Sequence, residues 1–139
     1  TDGARPHDPT LLGGIGVVLI DADGEFLTMT HAVSPGLSIA YIERLAVLMA
    51  LEIATQLHIR HIIVHTDSAD TVEQVAGVRR AKPGLGDITV RVRRALRHFV
   101  RAELRWVERE ANGRANTLAR IGASYAWDRT LWRGQQVPL

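Results

Sequence analysis

The chain alternates short apolar runs with clusters of turn-forming residues, and the spacing within each run sets the element it predicts. Gly14 to Ile20 is almost wholly apolar, Asp21-Ala22-Asp23-Gly24 supplies a turn with glycine where a positive φ is tolerated, and Glu25 to Ala32 reads as the returning strand. An antiparallel meander is therefore expected at the start. Ser34-Pro35-Gly36 interrupts it, and from Ala40 to Leu57 the apolar positions take helical spacing in a stretch rich in Ala, Leu and Met. His61 to Thr66 is expected as a short strand, with Ile62, Ile63 and Val64 apolar in succession, as in a strand covered on both faces. Asp70-Thr71-Val72-Glu73 has the form of a capping box opening a second helix. Lys82 to Gly86 reads as a loop, Ile88 to Val100 as a helix, Leu104 to Val107 as a strand and Asn112 to Tyr125 as a final helix. This order predicts an α/β layered fold with a mixed sheet, antiparallel at one end and parallel at the other.

Helix geometry turns one of these elements into a chemical question. At 100° per residue, Ala46, Val47, Ala50, Ile53, Ala54 and Leu57 gather on one side and Glu43 falls among them, while Arg44, Glu52, Thr55 and Gln56 occupy the other. A carboxylate aimed at the sheet costs several kcal/mol unless it is protonated, paired or bound to a cation. A salt bridge to an arginine, or exposure in a frayed first turn, is the competing reading. Asp67 stands at the carboxyl end of the His61 to Thr66 strand, where open α/β sheets gather ligand groups, although it could equally cap the next helix. Asp2, in Thr1-Asp2-Gly3, reads as part of a turn. Three acidic residues in a chain without cysteine suit a hard cation that prefers oxygen, Mg²⁺ or Mn²⁺, over zinc.

Composition narrows the setting. The 139 residues fit one domain spanning 1–139, and the absence of Cys excludes disulfides, thiolate zinc sites and cysteine nucleophiles. No signal-peptide pattern or membrane-length apolar run is present, so a cytoplasmic monomer with no membrane partner is expected. The net charge is only +2, but the arginines cluster: Arg91, Arg94, Arg97 and Arg101, with Asn112 beyond them, are candidate nucleic-acid contacts, against the alternative of a solvated helix face. Trp106 is expected in the core, and Trp127 and Trp132 against a C-terminal segment. The six His show no metal-ligand spacing.

Taken in order, Thr1-Asp2-Gly3-Ala4, Gly13 to Val18, Glu43-Arg44-Leu45-Ala46, Thr66-Asp67-Ser68, and Trp106 to Asn112 followed by Ala115-Asn116-Thr117-Leu118-Ala119 resemble the ribonuclease H family, type 1, in its compact version without a basic handle. Each motif is short, but together they cover nearly the whole chain. The resemblance implies a ribonuclease H-like fold with a mixed five-stranded sheet flanked by helices. It also implies a catalytic and metal-binding set of Asp2, Glu43, Asp67 and Asn116, where the family has a fourth Asp at the last position. Two ions, Mg²⁺ or Mn²⁺, would be bridged by Asp2, with Glu43 beside the scissile phosphate. The implied reaction is hydrolysis of the RNA strand of an RNA–DNA hybrid, leaving 5′-phosphate and 3′-hydroxyl ends. Asn116 keeps a carbonyl oxygen but lacks the negative charge that helps to neutralise a dication. Arg109 to Arg114 replaces the family's flexible histidine loop, and Ala40-Tyr41-Ile42 replaces the asparagines that read the RNA minor groove. Two other functions are compatible with these residues: a non-catalytic ribonuclease H-like binding module that has lost its fourth acid, and a single-strand exonuclease of the wider superfamily. The implied opening strand would also begin before Thr1.

Overall fold

A computed structural model describes residues 1–8, 10–125 and 130–133. The meander consists of β1 (Asp2–Ala4), β2 (Gly13–Asp21) and β3 (Gly24–Val33), all antiparallel. Asp21 and Gly24 close the hairpin, with Gly24 at φ +111° and the Asp21 carboxylate accepting from the Asp23 N–H at 2.8 Å. A final strand, β6 (Thr130–Arg133), pairs antiparallel with β3, giving the order β1-β2-β3-β6. β4 (His61–Thr66) and β5 (Arg101–Trp106) form a separate parallel pair. The mixed sheet expected as five strands thus has six among the described residues, in hydrogen-bonded groups of four and two. Thr1 joins the groups: its ammonium donates to the His65 carbonyl at 2.9 Å and its hydroxyl to the same oxygen at 3.1 Å. Asp2, expected in a turn, lies within β1.

The helices follow the predicted order with shifted ends. α1 (Ile39–Gln56) is capped by the Ser38 hydroxyl, which accepts from the Tyr41 N–H at 3.1 Å. α2 (Ala69–Ala76) is capped by Ser68, not Asp70, because the Ser68 hydroxyl reaches the Thr71 N–H while Asp70 is paired with Lys82 at 3.0 Å. α3 (Gly86–Leu96) ends four residues before the expected Val100. A 3-10 turn (Arg109–Asn112) then leads into α4 (Gly113–Tyr125).

α1 is buried on two sides. Ile42, Ala46, Ala50 and Ile53 pack against Ile15, Val17 and Met29 of the meander, while Val47, Leu51 and Ala54 pack with Val64, Val75, Ile88 and Val92. Arg44, expected to face solvent, is therefore fully buried. Its guanidinium donates to the Ala40 carbonyl at 2.8 Å and to the Gln74 side-chain oxygen at 2.6 Å, tying α1 to α2. Leu57, expected on the apolar side, is 37% exposed at the helix end. Trp106 is also corrected from core to surface, 50% exposed at the end of the outer strand of the parallel pair. Trp127 lies outside the described residues, as does the side chain of Trp132. No described helix is long and apolar enough to cross a membrane.

α4 covers the opposite face of the meander through glycines. A Cβ at Gly16 would lie 2.6 Å from the Ala119 nitrogen and overlap the Ala115 carbonyl, and one at Gly14 would lie 2.5 Å from the Ala123 nitrogen. Only hydrogen at these positions lets the helix backbone approach so closely. The buried Thr30 hydroxyl also donates to the Leu118 carbonyl of α4.

Candidate functional site

Two close approaches build the site. A Cβ at Gly3 would lie 2.7 Å from the Ile42 side chain and 3.1 Å from the Glu43 nitrogen, so glycine lets β1 press against the first turns of α1. That contact brings Glu43 to Asp2. The approach of α4 over Gly16, the partner of Asp2 in the β1–β2 register, brings Asn116 to the same carboxylate. Asp67, immediately after β4, completes the group, and the carboxylate oxygens of Asp2, Glu43 and Asp67 lie within 4.8 Å of one another.

The surroundings are unfavourable to charge. Asp2 is 2% and Glu43 8% exposed, and Glu43 Oε2 is buried with no hydrogen-bond partner. Burial first, then the neighbouring Asp2 and Asp67, push the Glu43 carboxyl up to about 9. Asp67 is also raised, chiefly by burial and then by Asp2, with Arg109 opposing. Burial lowers the Thr1 ammonium, against the pull of Asp2, Glu43 and Asp67. The Asn116 amide donates to Asp2 Oδ2 at 2.6 Å, which fixes one Asp2 oxygen and adds no fourth negative charge. Three carboxylates that offer hard oxygen donors, one of them with an orphaned buried oxygen, fit a divalent cation such as Mg²⁺ or Mn²⁺.

The candidate nucleic-acid contacts divide. Arg91 and Arg94 on α3, Arg97 at its C-cap and Arg101 at the start of β5 are all exposed. Their neighbours are engaged elsewhere: Arg93 donates to the Val75 and Gln74 carbonyls, and Arg105 grips Glu103 through two 3.0 Å bonds. Asn112 turns inward. It is 6% exposed, and its amide donates to the Thr1 carbonyl at 2.7 Å, bracing β1 instead of presenting a surface contact. Thr1, Gly3 and Gly16 are site-building residues that the sequence reading passed over. An interior strand glycine such as Gly16, which often marks a close backbone approach, was the available signal.

Residues 1–122 match the family model described as reverse transcriptase-like. The chain belongs to the reverse transcriptase-like family. Among solved structures, this reverse transcriptase-like chain resembles RNase H1 from the halophilic archaeon Halobacterium salinarum NRC-1. The identity is 27%, the TM-score 0.83, and coverage 89% of this chain and 94% of that one. It also resembles the N-terminal RNase H domain of a Mycobacterium tuberculosis protein fused to maltose binding protein, at 26% identity and TM-score 0.81, covering 90% and 91% of the two chains. LC11-RNase H1, solved in complex with an RNA/DNA hybrid, shares the fold at 24% identity and TM-score 0.79, covering 90% and 94%. No curated protein matches the chain by sequence. The fold of this family member is the ribonuclease H-like α/β fold expected from its sequence, and RNase H1 structures are among the solved structures it resembles.

Proposed function

We propose that the chain is a metal-dependent endoribonuclease that hydrolyses the RNA strand of RNA–DNA hybrids, leaving 5′-phosphate and 3′-hydroxyl ends. The observation that carries this reading is the convergence of the Asp2, Glu43 and Asp67 carboxylates, one of which, Glu43, has a buried oxygen without a hydrogen-bond partner. Kinship with RNase H1 structures, one of them solved on an RNA/DNA hybrid, supports the choice of substrate.

Asp2, Glu43 and Asp67 would hold two Mg²⁺ or Mn²⁺ ions, whose Lewis acidity would act on the attacking water and the leaving oxygen. Before an ion arrives, Glu43 keeps its proton, because burial and two acidic neighbours disfavour the carboxylate. Releasing that proton is part of loading the site. Asn116 orients Asp2 through its 2.6 Å bond, leaving the other Asp2 oxygen for the cluster. Exposed Arg91, Arg94, Arg97 and Arg101 would meet phosphates of the hybrid through charge-assisted hydrogen bonds.

Cleavage of a labelled RNA–DNA hybrid, beside duplex DNA, duplex RNA and single strands, with Mg²⁺, Mn²⁺ or EDTA, tests the proposal. Cutting confined to the hybrid's RNA, abolished by Asp67→Asn and by EDTA, is the expected result. Asn116, neutral and already bonded to Asp2, favours the second reading, a non-catalytic binding module. Hybrid binding without cutting under either ion, unchanged by Asn116→Asp, would establish that reading instead.

A further inference from the structure

The amino end of the parallel pair carries charge that nothing in the fold answers. No acid stands between Glu52 and Asp67 or between Asp87 and Glu103, and these two stretches meet where β4 and β5 begin. His61 is the register partner of Arg101, and the Arg60 carbonyl accepts from the Val100 and Arg101 N–H groups at 2.9 and 3.2 Å. Arg60, His61, Arg97, His98 and Arg101 are thereby gathered at one place, all of them exposed. Ile59 and Phe99 pack into the core that α1 shares with α3, so both turns that carry the cations are rooted.

Ordinary roles do not account for this group. Elsewhere exposed cations are met by acids: Arg79 by Glu73, Lys82 by Asp70 and Arg105 by Glu103. Among the described residues no acid pairs with any of the five. A helix dipole favours cations in its own last turn, which covers Arg94 and Arg97 but not Arg60, His61 or Arg101 at the strand starts. Like charges held together with no counter-charge favour a polyanion as partner. Position decides which polyanion. β4 is 6 residues long, about 20 Å at roughly 3.3 Å each, and it separates the patch from Asp67 at its other end. A duplex is stiff over about 150 base pairs, so one seated on the acidic cluster does not turn to the opposite end of the strands. A single strand does turn, and its unpaired bases offer apolar faces to Val100, 68% exposed among the cations. α3 leads directly into β5, so its exposed Arg91 and Arg94 lie between the two ends and mark the route.

We infer that the amino end of the β4–β5 pair is a docking site for the phosphates of an unpaired strand that continues from the hybrid seated at the acidic cluster. The inference rests on the hybrid-binding reading above and not on catalysis. Arg97 and Arg101, assigned there to phosphates of the hybrid, would hold those of its single-stranded extension, with Arg60 as a third guanidinium and His61 and His98 as further donors. Contacts to phosphate carry no base information, so the site would accept a strand of any sequence. It would act by linkage, since a strand already held at the cluster reaches the patch at high effective concentration.

The test is equilibrium binding in EDTA, which halts metal-dependent cutting, of a labelled blunt RNA–DNA hybrid and of the same hybrid with an unpaired tail of about ten nucleotides placed at each of its four ends in turn. With the tail at one of those ends, Kd is expected to fall by at least about 5-fold, and its log–log dependence on salt to steepen by roughly 2, as three neutralised single-strand phosphates would give. Arg60→Gln combined with His98→Gln should cancel most of that gain and leave blunt binding unchanged, while Arg60→Lys keeps it. Equal Kd values for blunt and tailed hybrids, a gain that the double variant retains, or no binding of either would overturn the inference. A gain matched by an unlinked strand added at the tail's concentration would assign the patch to a separate nucleic acid and refute the continuous one. An Asp- and Glu-rich peptide that binds the patch while the tail adds nothing would assign it to a protein partner instead. Tail-dependent binding with no cutting in Mg²⁺ or Mn²⁺ would sink the nuclease reading and spare this one, whereas cutting with equal Kd values would do the reverse.

Discussion

Glu43→Gln should stabilise the metal-free protein, increasingly so at higher pH. The Glu43 carboxyl stands at about 9 in the fold against an ordinary value of 4.5, so folding takes up a proton. The fold keeps the full benefit below the lower value and loses it as pH rises toward the upper one. Each pH unit between them removes about 1.4 kcal/mol, which amounts to roughly 3 kcal/mol at pH 7 and about 6 kcal/mol at pH 9. Glutamine keeps the shape, does not titrate, and so escapes this loss. For a domain of this size, about 3 kcal/mol corresponds to a midpoint roughly 10 °C above that of the parent chain. Calorimetry in EDTA across pH 5 to 9 reads the effect, which should be small at pH 5 and largest at pH 9. Adding Mn²⁺ should raise the parent midpoint and leave Glu43→Gln nearly unmoved, because the variant lacks one charged ligand. A gain that does not grow with pH, or a parent chain more stable than the variant in EDTA at pH 8, would refute the reasoning.

Asn116→Asp loses the 2.6 Å donor to Asp2 and sets a fourth carboxylate beside it, so in EDTA at neutral pH it should cost about 3 kcal/mol, measured by urea unfolding. Millimolar Mn²⁺ should recover most of that loss, and hybrid cleavage should rise above the parent rate. Gly16→Val should lower stability by at least about 3 kcal/mol, because its Cβ would overlap the Ala115 carbonyl and force α4 off the sheet. Arg44→Met should cost about 2 kcal/mol by leaving the buried Gln74 oxygen unpaired, and adding Gln74→Leu should restore most of it in a double-mutant cycle.

Legibility in the sequence followed the strength of local pattern. α1 and β4 announced themselves through long periodicity and a consecutive apolar run, and the hairpin through Asp21-Ala22-Asp23-Gly24. β1 did not, since three residues ending in Gly3-Ala4 are too few to show alternation. Arg44 was misplaced because a helical wheel anticipates one covered side, whereas α2 and α3 form a second covering layer. The cap is Ser68 and not Asp70: the Ser68 hydroxyl accepts from the Thr71 N–H, and Asp70 lies inside the first turn, paired with Lys82. In the site, Glu43 and Asp67 were visible from helix phase and strand end. Their meeting with Asp2 was not, because it depends on the backbone contact at Gly3, a tertiary fact with no local signature. Asn112, proposed as a surface contact, instead braces Thr1 from 111 residues away.

The grip on Thr1 bears on how the protein folds. His65 and Asn112 hold this residue across separations of 64 and 111 positions, and Asn116 reaches Asp2 across 114. Closing such large loops carries an entropic penalty that local helix formation does not, so these contacts are expected to form after the local helices, an order that φ-value measurements would check. A nascent or partly folded chain can contain α1 and β4 and still lack the cluster of Asp2, Glu43 and Asp67. Assembly of the acidic cluster would then mark completion of the fold, and an ion held there, as proposed, would act as a clasp on contacts that span up to 114 positions.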